Sequence, residues 1–203
     1  MLIIPATVLV PTPSDFPHRE DIEDLLQKRR EANISQGFII RPNKTPLLPF
    51  TFTGEININN NRLWQLFLAL ADDLPTSVCC TYGLSGEDPV TTDYLPKADI
   101  LSTFSRFELE LTMDCSFEYS LLYHTKAMLM EVAVTESKYI KFSGSDKGKL
   151  LQKMDAFGLK ETRSISFIDE HPKVVLPLQQ VVPSARRTAD VIWSFNRAFG
   201  VEQ

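Results

Sequence analysis

The side chains able to make or break bonds are few. Three histidines (His18, His124, His171) and three cysteines (Cys79, Cys80, Cys115) are spread along 203 residues. No histidine shares a metal-ligand spacing with another histidine, a cysteine or a carboxylate, so no metal site is predicted. A nucleophile needs a base beside it. Cys115 and His124 lie nine residues apart around a possible hairpin. With a carboxylate they define the catalytic alternative, a small cytosolic hydrolase with a dispersed site; a turn cysteine and a strand histidine explain the same pair. Gly144-Ser145-Asp146-Lys147-Gly148-Lys149 invites comparison with a phosphate loop, but Leu150 stands where that loop needs Ser or Thr, and the glycines are one residue too close. A turn leading into a capped helix accounts for every residue of it. Gly83-Leu84-Ser85-Gly86 lacks the spacing of a nucleophile elbow. Glu108 and Glu110 are a carboxylate pair of the kind glycosidases use, yet such pairs are commoner on solvated strand faces. No catalytic residue and no cofactor is assigned.

Charge says more. The chain carries 26 acidic and 21 basic side chains, a net charge of −5, which argues against nucleic acid as a ligand. Residues 87–118 hold Glu87, Asp88, Asp93, Asp99, Glu108, Glu110, Asp114 and Glu118 against only Lys97 and Arg106. That window is −6 and the rest of the chain +1. Two readings stay open: a solvated face, or a docking patch for a basic protein surface, where complementary charge speeds encounter and fixes register. Tyr94, Phe104, Phe107, Tyr119 and Tyr123 lie near enough to supply anchors, although most belong to a core.

The elements that position these residues follow from periodicity. Helices are expected at 19–32, after the asparagines at 57–61, at 97–105, at 147–157 behind Asp146, and at 185–199. The second carries the clearest apolar stripe: Leu63, Leu66, Phe67, Leu70 and Leu74. Strands are expected at 38–40, 50–53, 77–82, 117–123, 128–135 and 139–142, and around Ile165 and Phe167. Another is expected at 107–114, where Phe107, Leu109, Leu111 and Met113 alternate with Glu108, Glu110, Thr112 and Asp114. Short connections favour antiparallel pairing. The expected fold is therefore α+β: a mainly antiparallel sheet packed by about five helices. It forms one domain over 1–203, with residues 1–50 a possible extension packed on it. Pro-rich irregular stretches are expected at 11–18 and 42–49.

With 43% hydrophobic and 23% charged residues, the composition excludes collagen, a long coiled coil, wholesale disorder and a multi-span membrane protein. The apolar start at Leu2–Val10 lacks a preceding Lys or Arg and is broken by Pro5, so it reads as a strand or packed tail rather than a secretory signal. The low, odd cysteine count fits a reducing cytoplasm. Besides the protein-docking and hydrolase readings, a small-ligand pocket between sheet and helices is a third.

From Phe52 to Phe199 the chain resembles bacterial immunity proteins that accompany polymorphic or contact-dependent toxins. The resembling segments are GEININNNRLWQLFLALADDLP, KADILSTFSRFELELTMD, MEVAVTESKYIKFSGSDKGKLLQKMDAFGL and ISFIDEHPKV. The resemblance implies a cytosolic, acidic α+β protein that neutralises a cognate toxin by occluding its active site. It transfers no functional residue.

Overall fold

The computed structural model describes residues 2–45 and 47–201; Met1, Pro46, Glu202 and Gln203 lie outside it, so the irregular stretch expected at 42–49 is described except at Pro46. The strands are β1 (Val8–Leu9), β2 (Gly37–Pro42), β3 (Phe52–Asn57), β4 (Ser77–Leu84), β5 (Val90–Thr91), β6 (Leu95–Pro96), β7 (Phe117–His124), β8 (Leu129–Val134), β9 (Ile140–Gly144) and β10 (Val174–Val175). The helices are α1 (Ile22–Glu31), α2 (Asn60–Ala71), α3 (Lys97–Ser105), α4 (Glu108–Met113), α5 (Lys147–Ala156), α6 (Leu178–Val181) and α7 (Thr188–Phe199). The main sheet runs β2-β3-β9-β8-β7-β4-β5, with β6 also on β4, and every neighbouring pair is antiparallel. The fold is α+β, as expected. It has two helices more than expected, α4 and α6.

Helices α2, α3, α4, α5 and α7 lie on one face of the sheet. Leu63, Leu66, Phe67, Leu70 and Ala71 of α2 are fully buried and form a single core with the inward side chains of β3, β4, β7, β8 and β9. Asn59 precedes α2 but does not cap it; its Oδ1 accepts from the Ile3 N–H at 2.9 Å and so ties the N-terminal segment down. At the other end of α2, the Lys97 ammonium donates to the carbonyls of Ala71, Asp72 and Leu74, which the helix itself cannot satisfy. Asp146 caps α5 by accepting from the Lys149 N–H at 3.0 Å, and Gly158 ends it with φ +65°, the left-handed region that favours glycine.

Residues 107–114 form no strand. They make the six-residue α4. Wound as a helix, Phe107, Glu110, Leu111 and Asp114 share one face, and all four are buried while Leu109 is 41% exposed. Glu, Leu and Met are strong helix formers and only Thr112 is β-branched, so propensity overrides the alternation. Ile165 and Phe167 also form no strand. They are buried beside Tyr139 and Ile39, held through Ser166, whose N–H donates to Asn33 O and whose carbonyl accepts from Asn57 Nδ2. The last helix begins at Thr188, not Ala185.

Residues before 50 are woven into the rest. Strand β1 pairs with β10 (Val8 opposite Val175), Thr7 Oγ1 donates to Met113 O at 2.6 Å, and β2 is the edge of the main sheet. A lysine is sealed inside. Lys138 is 3% exposed, with φ +57°, and its Nζ donates to Phe117 O at 2.6 Å.

Phe195 of α7 packs against Tyr82, Phe104, Phe107, Phe117 and Phe199. Phe195→Ala is expected to cost about 3–5 kcal/mol in urea unfolding, the usual penalty for deleting a core phenylalanine. Burial pushes the Lys138 amine down to about 8. The unfolded chain therefore holds more protons between that value and the ordinary 10.5. Wild type should gain stability relative to Lys138→Met as pH rises through that window, and the difference should be flat below pH ~7. Paired denaturation curves across pH check this.

Candidate functional site

The second face of the main sheet carries none of these five core helices. Strand alternation sends Phe117, Tyr119 and Leu121 of β7, Val132 and Val134 of β8, and Ile140 and Phe142 of β9 into the helical core. The intervening residues point the other way. Register aligns them into two rows. One crosses Cys79, Leu122, Glu131, Ser143, Thr53 and Arg41. The other crosses Thr91, Thr81, Ser120, Ala133, Lys141, Glu55 and Ile39. The segment around Phe167 covers only the corner near Tyr139 and Ile39.

This face is polar and largely paired within itself. Thr81 and Ser120 hydroxyls lie 2.8 Å apart, Thr53 and Ser143 hydroxyls 3.4 Å, and Arg41 Nε donates to Glu55 Oε2 at 2.6 Å. Glu131 sits amid them, in a shallow groove of about 220 Å³ walled by Thr81, Pro89, Glu118, Ser120 and Lys141. Burial raises its carboxyl above the ordinary value; the Ser120 hydroxyl and the Lys141 ammonium offset only part of that.

The expected acidic patch divides into three groups. Glu87 and Asp88 are exposed in the β4–β5 turn, and the next residue, Pro89, folds over Gly83, directly opposite Glu118. Asp93 follows β5 and lies near enough to Cys79 to add to the burial that raises its thiol. These four border one side of the uncovered face. Asp99 on α3 and Glu108 on α4 are exposed in the helical layer instead. Glu110 and Asp114 are 4% and 2% exposed and belong to no surface. Glu110 Oε1 accepts from the Arg186 N–H at 2.9 Å, and Asp114 Oδ2 accepts from Thr188 Oγ1 at 2.5 Å. Both carboxylates pin the start of α7, where the helix dipole favours negative charge. They are folding residues.

Strand β7 separates the proposed catalytic pair. Cys115 precedes it and His124 ends it, more than ~20 Å away at strand rise. The thiols of Cys79, Cys80 and Cys115 are all raised, chiefly by burial, Cys80 to about 12, so little thiolate forms near neutrality. Ser85 donates to Glu136, a carboxylate already held by Lys173 Nζ at 2.5 Å. Among the described residues no three His, Cys, Asp or Glu side chains gather to hold a metal, and no helix is long and apolar enough to cross a membrane.

Comparison with protein-family models, with curated proteins and with solved structures finds no match for this chain. Its architecture is an antiparallel sheet with five of its helices packed on one side.

Because the Glu131 carboxyl is raised in the fold, it stabilises the protein only at pH below its unfolded value and weakens it as pH climbs through the folded one. Glu131→Gln should melt a few degrees higher than wild type at pH 7, and the gap should close toward pH 4. Thermal scans at the two pH values measure it.

Proposed function

We propose that this chain works by covering another protein, as the immunity proteins it resembles do, and that it docks through the uncovered sheet face onto a basic surface. One observation carries the reading: a carboxylate, Glu131, sits half-buried in a groove in the middle of a sheet face that the five core helices leave open. A half-buried carboxylate weakens a fold unless something pairs with it. An ammonium or guanidinium delivered by a partner supplies that pairing. The acids on the border (Glu87, Asp88, Asp93 and Glu118) add the long-range attraction that raises encounter rates. A toxin that grips nucleic acid has a basic groove of matching sign, and covering that groove occludes its active site without any bond being made or broken.

The reading requires a toxin gene beside this one, and the product of that neighbouring gene tests it. Co-expression should restore growth, and the purified pair should associate fast at low salt. Asp88→Lys combined with Glu118→Lys should slow association by about tenfold while the melting temperature holds. Failure of wild type to bind or protect would overturn the role; an unchanged on-rate in the double variant would remove this face from it.

A further inference from the structure

A second surface, on the helical side, has the opposite character. Where α3 ends against α7, a cup of about 340 Å³ is lined by Thr103, Arg106, Phe107, Trp193, Ser194 and Arg197. Trp193 is 53% exposed, although its helix buries Val191 and Phe195 almost completely. The Arg197 guanidinium lies 5.6 Å over the Trp193 ring. Arg106 and Arg186 lie 5.9 and 4.6 Å over Phe107. Stacking on a ring holds a guanidinium flat and leaves its edge donors free to fork a carboxylate. Arg186 spends its donors at home, on Arg106 O at 3.0 Å and on Glu110 at 3.5 Å. Arg106 and Arg197 have no carboxylate within 4.0 Å among the described residues. A chain of net charge −5 thus gathers three guanidiniums around two aromatic rings at one corner.

We propose that this corner docks an acidic segment of a partner protein: carboxylates forked by Arg106 and Arg197, with an apolar side chain between them seated against Trp193 and Phe107. Tryptophan and arginine are the side chains that dominate protein–protein binding energy. Nucleic acid is the poorer occupant. Its extended polyanion would have to run past the exposed carboxylates of Asp99 and Glu108 on the adjoining helices, whereas a short segment touches only the cup. The site is independent of the uncovered sheet face, so one chain presents an acidic docking surface and a basic one in different layers.

The probe is the peptide acetyl-Glu-Glu-Phe-Glu-Glu-amide, titrated into the intact protein and followed by the fluorescence of exposed Trp193; buried Trp64 supplies a constant background. Saturable change is expected, weakened by salt and reduced at least ~10-fold in Arg106→Gln/Arg197→Gln, whose melting temperature should stay close to wild type because an exposed cation–π contact is worth at most about 1 kcal/mol. The lysine version of the peptide should not bind, and Arg41→Gln, on the opposite face, should bind as wild type does. No saturation at millimolar peptide would overturn the proposal, as would equal binding by the double variant. Inorganic phosphate saturating the site as well as the peptide would assign it to free anions. Arginine-dependent self-association in sedimentation would assign it to a second copy. Either result would displace the acidic segment.

Discussion

The structure depends on the ring of Phe195. It meets Phe104 in a stack at 5.0 Å and Tyr82, Phe107 and Phe117 near edge-on, so one side chain of α7 touches α3, the start of α4 and the neighbouring strands β4 and β7. Each such aromatic pair is worth about 0.5–1.5 kcal/mol beyond the apolar area it removes from water. Tyr82 adds a polar tie, its hydroxyl donating to Asn196 Oδ1 at 2.8 Å. The contacts gather the helical layer onto one side of the sheet. Both surfaces proposed to bind follow from that asymmetry: the polar face opposite the five core helices, and the arginine-lined corner where α3 and α7 meet above the core.

Much of this order is legible in the residues. Lys97–Ser105 is a helix with the expected bounds, Asp146 caps α5 as its spacing predicts, and Phe117, Tyr119 and Leu121 alternate into the core. The misreading at 107–114 arose because a two-residue and a helical repeat both fit eight residues, and only propensity separates them. The error carried straight into the site. Read as a strand, Glu110 and Asp114 join a wet face; wound as a helix, they turn inward beneath Arg186 and Thr188. Glu131 and Lys141 could be placed on outward positions of their strands, but their convergence needs the pairing of β8 with β9, which no local pattern specifies. The corner at Trp193 joins residues 87 positions apart in sequence, from Arg106 to Trp193, and leaves no short-range trace.

Buried charge plays a structural part as well. Glu110, Asp114 and Lys138 each meet a backbone or hydroxyl group at a joint between elements: the first two at the entry to α7, the last at the start of β7. Counting carboxylates in a window overstates the surface charge because some of them are buried as hydrogen-bond acceptors where elements join. The acidic balance of this chain is thus partly an account of its joints.

The rims of the sheet limit how anything can approach it. On one side β5 is only two residues long. On the other, the outward groups of Phe38 are already taken by Lys160 O and the Thr162 N–H, and Pro42 brings no donor. Little unpaired ladder remains for a foreign strand to zip onto, which protects the protein from growing into fibrils by edge pairing. It also leaves only the outward groups of Ile40 on that rim for β-augmentation, so the flat of the sheet and the helices offer a companion far more surface.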